Sequence, residues 1–464
     1  MSGQPNQNGV ELANANVKGN PDRGGFATNF GFIMAAVGSA VGLGNIWKFP
    51  YITGEYGGGA FVLVYLICIA IVGLPLMYAE LIIGRRGGSD ILGAMRNLAA
   101  EGSVLGRILA YLTGGMAVAS GFLILSFYAV VAGWALHFLA VSLGLMPDAQ
   151  LGAEGTFAEV AGSAKLSSLW HTIFMALTMI VVMGGIHGGI EKLCKILMPV
   201  LFLMLIALLI YVGYTGGLEE SLTFLFKPDF HKLSAAAVLE ALGHAFFTLS
   251  LGMGAIVTYG SYLKSERHVI RDGIAIAFLD TLIALMAGTV IFAVVFHAGL
   301  EAEGGPGLLF KTLPALFIKM PYGAAVSSFF FLLVVFAAWS SAVSLLEVVV
   351  AYFVDEWKMK RSIATCVFGG LVWGLGIASA CDGSVLDFLD NLTTRYMLPL
   401  GGLAIAIFAG WFVSYEDRNS GFAPFGVVGE MLAAAWLFTI RFVSPVLIVI
   451  VILSKTGALD SFIK

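Results

Sequence analysis

Closely spaced glycines interrupt two apolar stretches of this chain. They are Gly38-Ser39-Ala40-Val41-Gly42-Leu43-Gly44-Asn45 near the start and Thr248-Leu249-Ser250-Leu251-Gly252-Met253-Gly254 in the second half. Glycine is a poor helix former, so these runs free main-chain N–H and C=O groups from a helical ladder. In hydrocarbon such groups are costly unless they face a protein-lined cavity or a bound ligand. Hydrocarbon is the expected surrounding, because 59% of the 464 residues are hydrophobic and only 12% are charged. A soluble domain carries about 25% charged residues. The two interruptions therefore predict an all-α integral membrane protein with a binding site near the bilayer midplane, between broken helices.

Apolar runs of about 20 residues are needed to span a bilayer. They fall at 27–53, 59–84, 106–142, 168–186, 191–213, 239–264, 271–299, 323–357, 362–380, 386–414 and 429–454, which predicts eleven transmembrane helices. Between the seventh and eighth, Gly304-Gly305-Pro306-Gly307 leads into a segment, Leu308 to Ile318, too short to span. It reads as an outer hairpin or re-entrant loop. The basic clusters Arg85/Arg86, Lys192/Lys195, Lys264/Arg267/Arg271 and Lys358/Lys360/Arg361 all lie on the side of the amino terminus. By the excess of basic residues in cytoplasmic loops, that side is cytoplasmic and the carboxyl terminus is outside, in a multi-pass protein of the inner (plasma) membrane.

Each interrupted span opens a group of five. An odd number of spans per group inverts the second group relative to the first, which predicts two inverted five-helix repeats. The expected organisation is a polar cytoplasmic tail at 1–25, a ten-helix core at 26–414 and an appended eleventh helix with the tail at 415–464. The core's repeats cover about 27–213 and 239–414. A net charge of −4 gives no basic surface for nucleic acid. The four cysteines, Cys68, Cys194, Cys366 and Cys381, have neither metal nor redox spacing and read as packing residues.

The chemistry of the interruptions can be read from the residues themselves. A half-helix beginning near Asn45 offers free N–H groups and a positive dipole end, suited to a carboxylate. Carbonyls released around Ala40 and Val41, with hydroxyls such as that of Thr248, offer hard oxygen ligands to a small cation. An anion beside a cation suits an amino-acid zwitterion with sodium. Asp280 lies in the middle of an apolar helix, where an unpaired charge is expensive and a partner is expected.

Four motifs then occur in order. They are the run from Gly38 to Pro50, Gly57-Gly58-Gly59-Ala60-Phe61, Gly73-Leu74-Pro75-Leu76-Met77 with Glu80, and Phe247 to Gly254. Together they resemble the neurotransmitter:sodium symporter family over about residues 23–455. The eleven-helix layout and the Gly-Met-Gly interruption are similar to its bacterial branch of multi-hydrophobic amino-acid transporters. The resemblance implies a LeuT-type fold with discontinuous helices 1 and 6, and a sodium-coupled symporter that imports an amino acid by alternating access.

The resemblance also assigns residues. One sodium would be held by Ala40, Asn45, Thr248, Asp280 and the substrate carboxylate, a second by Gly38, Val41, Ala337, Ser340 and Ser341. Many relatives have a neutral residue at Asp280 and some need chloride nearby, so a carboxylate here implies chloride-independent transport. The substrate pocket would be lined by Ala40, Gly42, Leu43, Gly44, Ile124, Tyr128, Phe247, Thr248, Ser250, Met253, Ser341 and Leu345. Gly42 stands where monoamine carriers have Asp, and Leu43 fills space that carriers of longer-backbone substrates leave open. With the adaptable Met253, these point to a hydrophobic or aromatic amino acid.

Lys48 and Asp390 match an outer ion-pair gate, with Lys in place of the commoner Arg. Arg23 and Asp355 match an inner one, with Phe26 in place of the usual Trp. Gly189 and Pro199 match a helix-5 segment that unwinds in relatives, although a helix start followed by a mild kink explains the same pair. Read without the family, Ser340 and Ser341 would simply pack helices. His244, where Gln is usual, reads as a hydrogen-bonded polar stand-in, Trp339 departs from the common Leu, and Arg441 reads as a packing or snorkelling residue.

Other functions fit less well. No ring of charges or repeated filter marks a channel, and no H-E-x-x-H or G-x-S-x-G marks an enzyme. A substrate sensor, or a sodium-coupled carrier of another small solute, would carry the same binding residues. The partners expected are a small amino acid, sodium and lipid, with the oligomeric state open.

Overall fold

The computed structural model describes residues 24–99, 103–146, 155–263, 269–301 and 306–455, and among them there is no β-strand. The chain opens on a bent pair, α1 (Asn29–Ala40) and α2 (Gly44–Glu55), whose axes meet at 50°. Four long helices follow: α3 (Gly59–Gly87), α4 (Val104–Ser142), α5 (Ala164–Met183) and α6 (Ile186–Thr215). A second interrupted pair, α7 (Ala235–Thr248) and α8 (Ala255–Ser261), begins the second half. It is followed by α9 (Val269–His297), α10 (Gly323–Glu356), α11 (Arg361–Cys381), α12 (Gly383–Trp411) and α13 (Gly426–Lys455).

By length and apolar content, nine described helices can cross a bilayer, or ten if α1 and α2 form one span. The expected eleven is not reached on this measure, because α7 and α8, of 14 and seven residues, are each too short alone. The segment after Pro306 forms one short helix, Thr312–Phe317. Its neighbour Phe310 packs against Trp47, Trp134 and Phe157.

The interrupted pairs lie at the centre. α10 runs along α4 and also packs on α1, α6 packs on α1, and α8 on α3. The most apolar stretch of α10 is 78% buried within the protein, whereas that of α13 is 22% buried. An apolar helix that the protein leaves uncovered is suited to lipid, so α13 is peripheral and α10 central.

Local chemistry explains both interruptions. α1 ends where Val41 turns to extended backbone, with ψ 113°. Between α7 and α8, Gly252 and Gly254 adopt φ of 81° and 79°, a region that glycine enters without cost. Gly252 also meets α12 so closely that a Cβ would lie 2.4 Å from the Leu398 carbonyl. Ser250 has φ 54°, rare for a residue with a side chain, and its hydroxyl donates to the Ser39 carbonyl at 2.8 Å. Buried Glu80 on α3 accepts from Gly252 N at 2.7 Å. A carboxylate thus holds free backbone of the second interruption, and a hydroxyl of the second interruption holds a free carbonyl of the first.

Candidate functional site

A small cavity, of about 30 Å³, lies where the two interruptions face each other. Ala40, Gly42, Leu43 and Gly44 form one side, Ile124 and Tyr128 of α4 another. Phe247, Ser250 and Met253 approach from the second interruption, Ser341 and Leu345 from α10. Of the twelve residues expected to line a pocket here, only Thr248 does not. It sits behind the wall, bonded to Asn45 and Asp280. Ser39 lines the cavity and was not foreseen. The space is shaped by missing side chains. A Cβ on Gly42 would lie 2.7 Å from the Tyr128 hydroxyl and 2.6 Å from Ser341 Oγ, and one on Gly44 would lie 3.0 Å from the Phe247 ring.

The expected free N–H groups at the start of α2 are only partly free. Gly42 N donates to Asn45 Oδ1 at 3.0 Å, and Leu43 N to the Tyr128 hydroxyl at 3.2 Å. Short polar side chains have taken the donors released by the interruption, so a carboxylate entering here would exchange with them.

Asn45, Thr248 and Asp280 form one fully buried cluster beside the cavity. Asn45 Nδ2 donates to Asp280 Oδ1 at 2.7 Å and reaches Thr248 Oγ1 at 3.1 Å, while Thr248 Oγ1 donates to Asp280 Oδ2 at 3.0 Å. Every donor to the Asp280 side chain here is neutral. A buried carboxylate without a cationic partner is strongly disfavoured unless a proton or a cation joins it.

A second cluster joins α1 to α10. Ser341 Oγ lies 3.2, 3.1 and 2.8 Å from the carbonyls of Gly38, Ser39 and Val41. Ser340 Oγ donates to the Ala337 carbonyl at 3.0 Å, and Gly38 packs directly on Ser340. All five residues expected for a second cation meet here. Both clusters offer hard oxygen donors, and no group of three His, Cys, Asp or Glu occurs among the described residues. That donor set fits an alkali cation rather than a transition metal.

A profile of the Sodium:neurotransmitter symporter family matches residues 23–153 and 158–461. This chain belongs to that family. It is therefore a sodium-dependent membrane transporter and not an enzyme. An uncharacterised sodium-dependent transporter of Bacillus subtilis is 35% identical over 450 residues, 94% of this chain and 98% of that protein. The sodium-dependent dopamine transporter of Bos taurus is 25% identical over 513 residues, 96% of this chain and 72% of that protein. The crystal structure of MhsT in complex with L-phenylalanine superposes with a TM-score of 0.83 at 43% identity, over 93% of this chain and 100% of that one.

At the end of the symporter away from Phe26, a chamber of about 260 Å³ lies above Phe247. Lys48 stands over the Phe247 ring, 5.2 Å from its centre. Its ion pair is with Glu240, at 3.9 Å, and not with Asp390, which lines the same chamber. Lys455, at the end of α13, pairs with Glu240 as well. The expected Lys48–Asp390 pair is thus replaced, because α7 brings Glu240 two helical turns above Phe247, within reach of both lysines.

At the amino-terminal end, Phe26 is buried against Tyr259 and Tyr262 of the α8 segment and against Phe32, all edge-on. Phe in place of Trp still docks. Arg23 lies outside the described residues, and Asp355 accepts from Asp90 N at 2.8 Å. Nearby, Glu347 pairs with Arg361 and accepts from the Tyr262 hydroxyl at 2.7 Å. α6 is wound throughout, with Pro199 inside it. Gly189 is required by contact, since a Cβ there would lie 2.0 Å from the Val181 carbonyl.

One further residue departs from expectation. His244 is buried with neither ring nitrogen bonded, stacked on Phe49, so it is not the hydrogen-bonded stand-in its position suggests. Of the two readings of Arg441, packing is the one its contacts match. Its side chain lies on the Trp411 ring and donates to the Gly410 carbonyl at 2.7 Å. Nothing in the structure explains Trp339. Besides Ser39, the sequence reading missed Glu191, which is buried at the start of α6 and holds the chain before α1. A Glu four residues before Lys195 was the available signal, and it reads equally well as an ordinary helix pair.

Proposed function

We propose that this protein couples sodium entry to the uptake of a hydrophobic or aromatic L-amino acid, without need of chloride. The observation that carries the reading is Asp280, fully buried and bonded only through neutral donors, beside a cavity walled by apolar side chains and a few hydroxyls. A sodium ion among Ala40, Asn45, Thr248 and Asp280 would supply the missing positive charge. A substrate carboxylate would complete its coordination at the start of α2. A second sodium would take the carbonyls and hydroxyls of Gly38, Val41, Ala337, Ser340 and Ser341.

Tyr128 would give its hydroxyl to the carboxylate, and the side chain would rest among Ile124, Met253 and Leu345. Because ion and substrate complete one another's sites, each raises the other's affinity by the same factor. The L-phenylalanine of the MhsT complex supports the substrate class.

In the membrane arrangement we favour, α1–α2 and α7–α8 are each one interrupted span, which makes eleven. The first ten form two inverted repeats, and the amino terminus lies in the cytoplasm. The chamber above Phe247 is then the outer entrance, and Phe26 closes the inner side. A surface ion pair contributes about 0–1 kcal/mol, which suits the Lys48–Glu240 contact as part of a gate that must open.

The test is uptake of L-phenylalanine or L-leucine into proteoliposomes under an inward sodium gradient. Uptake should persist when chloride is replaced by gluconate and stop when sodium is replaced by potassium. Sodium-driven uptake of a different solute class, with none for hydrophobic amino acids, would overturn the substrate assignment.

A further inference from the structure

We infer that Glu191 is a positioning residue for the transport cycle, a latch that makes release of α1 and unwinding of the start of α6 a single event. The inference rests on the alternating-access reading above and assigns one of its moving parts.

The Glu191 carboxylate is 1% exposed. It accepts from Ala27 N at 2.8 Å, Thr28 N at 3.2 Å and Thr28 Oγ1 at 3.1 Å, and pairs with Lys195 at 2.6 Å and His187 at 3.1 Å. Thr28 is the N-cap of α1, so a carboxylate from another helix caps the end of α1. Main-chain donors there lack partners within their own helix and carry the positive end of its dipole. α1 is shaped around this group: a Cβ on Gly31 would lie 2.1 Å from Glu191 Oε1.

Glu191 sits on the irregular part of α6. It closes the π-turn Ile186–Glu191, a rare form of helix that occurs mostly as single turns, frequently at functional sites. Pro199 has no N–H to give the Lys195 carbonyl one turn earlier. If α6 unwinds between Gly189 and Pro199, Glu191 leaves and three donors at the start of α1 lose their acceptor. If α1 swings away, a buried carboxylate loses three of its partners, which favours unwinding until water reaches it. Each movement lowers the cost of the other, as reciprocity requires.

Cys194 provides the reporter. It is buried on α6 with its thiol toward Gly38, beside the second candidate sodium cluster. In a Cys68→Ala, Cys366→Ser, Cys381→Ser background it is the remaining thiol, and its modification by a small hydrophilic methanethiosulfonate reads opening from the amino-terminal side. In sodium, modification should be slow in this parent, at least tenfold faster in Glu191→Ala, and intermediate in Glu191→Gln, which keeps an acceptor. Gly31→Ala should mimic the loss by displacing the carboxylate, and combining it with Glu191→Ala should add nothing further.

Glu191→Ala reacting at the parent rate, or additive effects in the double variant, would overturn the latch. If Glu191→Ala does not fold, Gly31→Ala reacting at the parent rate is sufficient to do so. Failure of the transport reading itself appears separately, as a parent whose Cys194 reacts equally fast with and without sodium.

Discussion

In the proposed mechanism Asp280 supplies the charge that sodium answers, because its buried carboxylate meets only an amide and a hydroxyl. Asp280→Asn should abolish chloride-free uptake or make uptake depend on added chloride, measured in proteoliposomes with chloride or gluconate. Full chloride-free transport by that variant would remove the charge argument. Gly42 bears a steric demand instead. Gly42→Ala places a methyl 2.7 Å from the Tyr128 hydroxyl, an overpacking worth about 1–3 kcal/mol. The expected outcome is L-phenylalanine binding weakened about tenfold or more, read by scintillation proximity on purified protein.

The two oxygen-rich clusters were legible because their residues flank glycine-rich interruptions or stand as polar exceptions in apolar helices. Ser39 and Glu191 were not. A serine in such a run looks like one more small packing residue, and the partners of Glu191 ahead of α1 lie more than 160 positions away in the chain.

The conformation of the second interruption decides where Glu80, Ser250 and Met253 sit. Gly252 combines φ 81° with a close approach to α12. Gly252→Ala should therefore lower the thermal unfolding midpoint in detergent, reflecting a cost of about 1–3 kcal/mol. Gly374→Ala on α11, where an added Cβ meets open space, should leave it unchanged. Glycine spacing revealed that both spans are broken, and even roughly where. It could not reveal that Ser250 takes up left-handed backbone, because that depends on the Ser39 carbonyl reaching it from another helix. The choice of Glu240 over Asp390 by Lys48 was hidden for a similar reason. Both carboxylates line one chamber, and the position of α13, which brings Lys455, is a property of packing rather than of local pattern.

At the scale of the whole molecule, the apolar runs foretold nearly every long helix. Among the described residues, length and composition give nine spans, or ten with α1–α2 as one, and the two pieces of α7–α8 are too short to register singly. The proposed orientation places the exposed Cys381 at the outer end of α11. An impermeant maleimide should label it from outside in intact cells and fail to label a Cys381→Ser variant at that site. The central claim is thermodynamic linkage between a hydrophobic amino acid and sodium at adjoining sites. Equilibrium binding of radiolabelled L-phenylalanine to the purified protein, with sodium exchanged for potassium at constant ionic strength, tests it most directly. Saturable binding in sodium that collapses in potassium is the predicted result; equal affinity in both salts would contradict it.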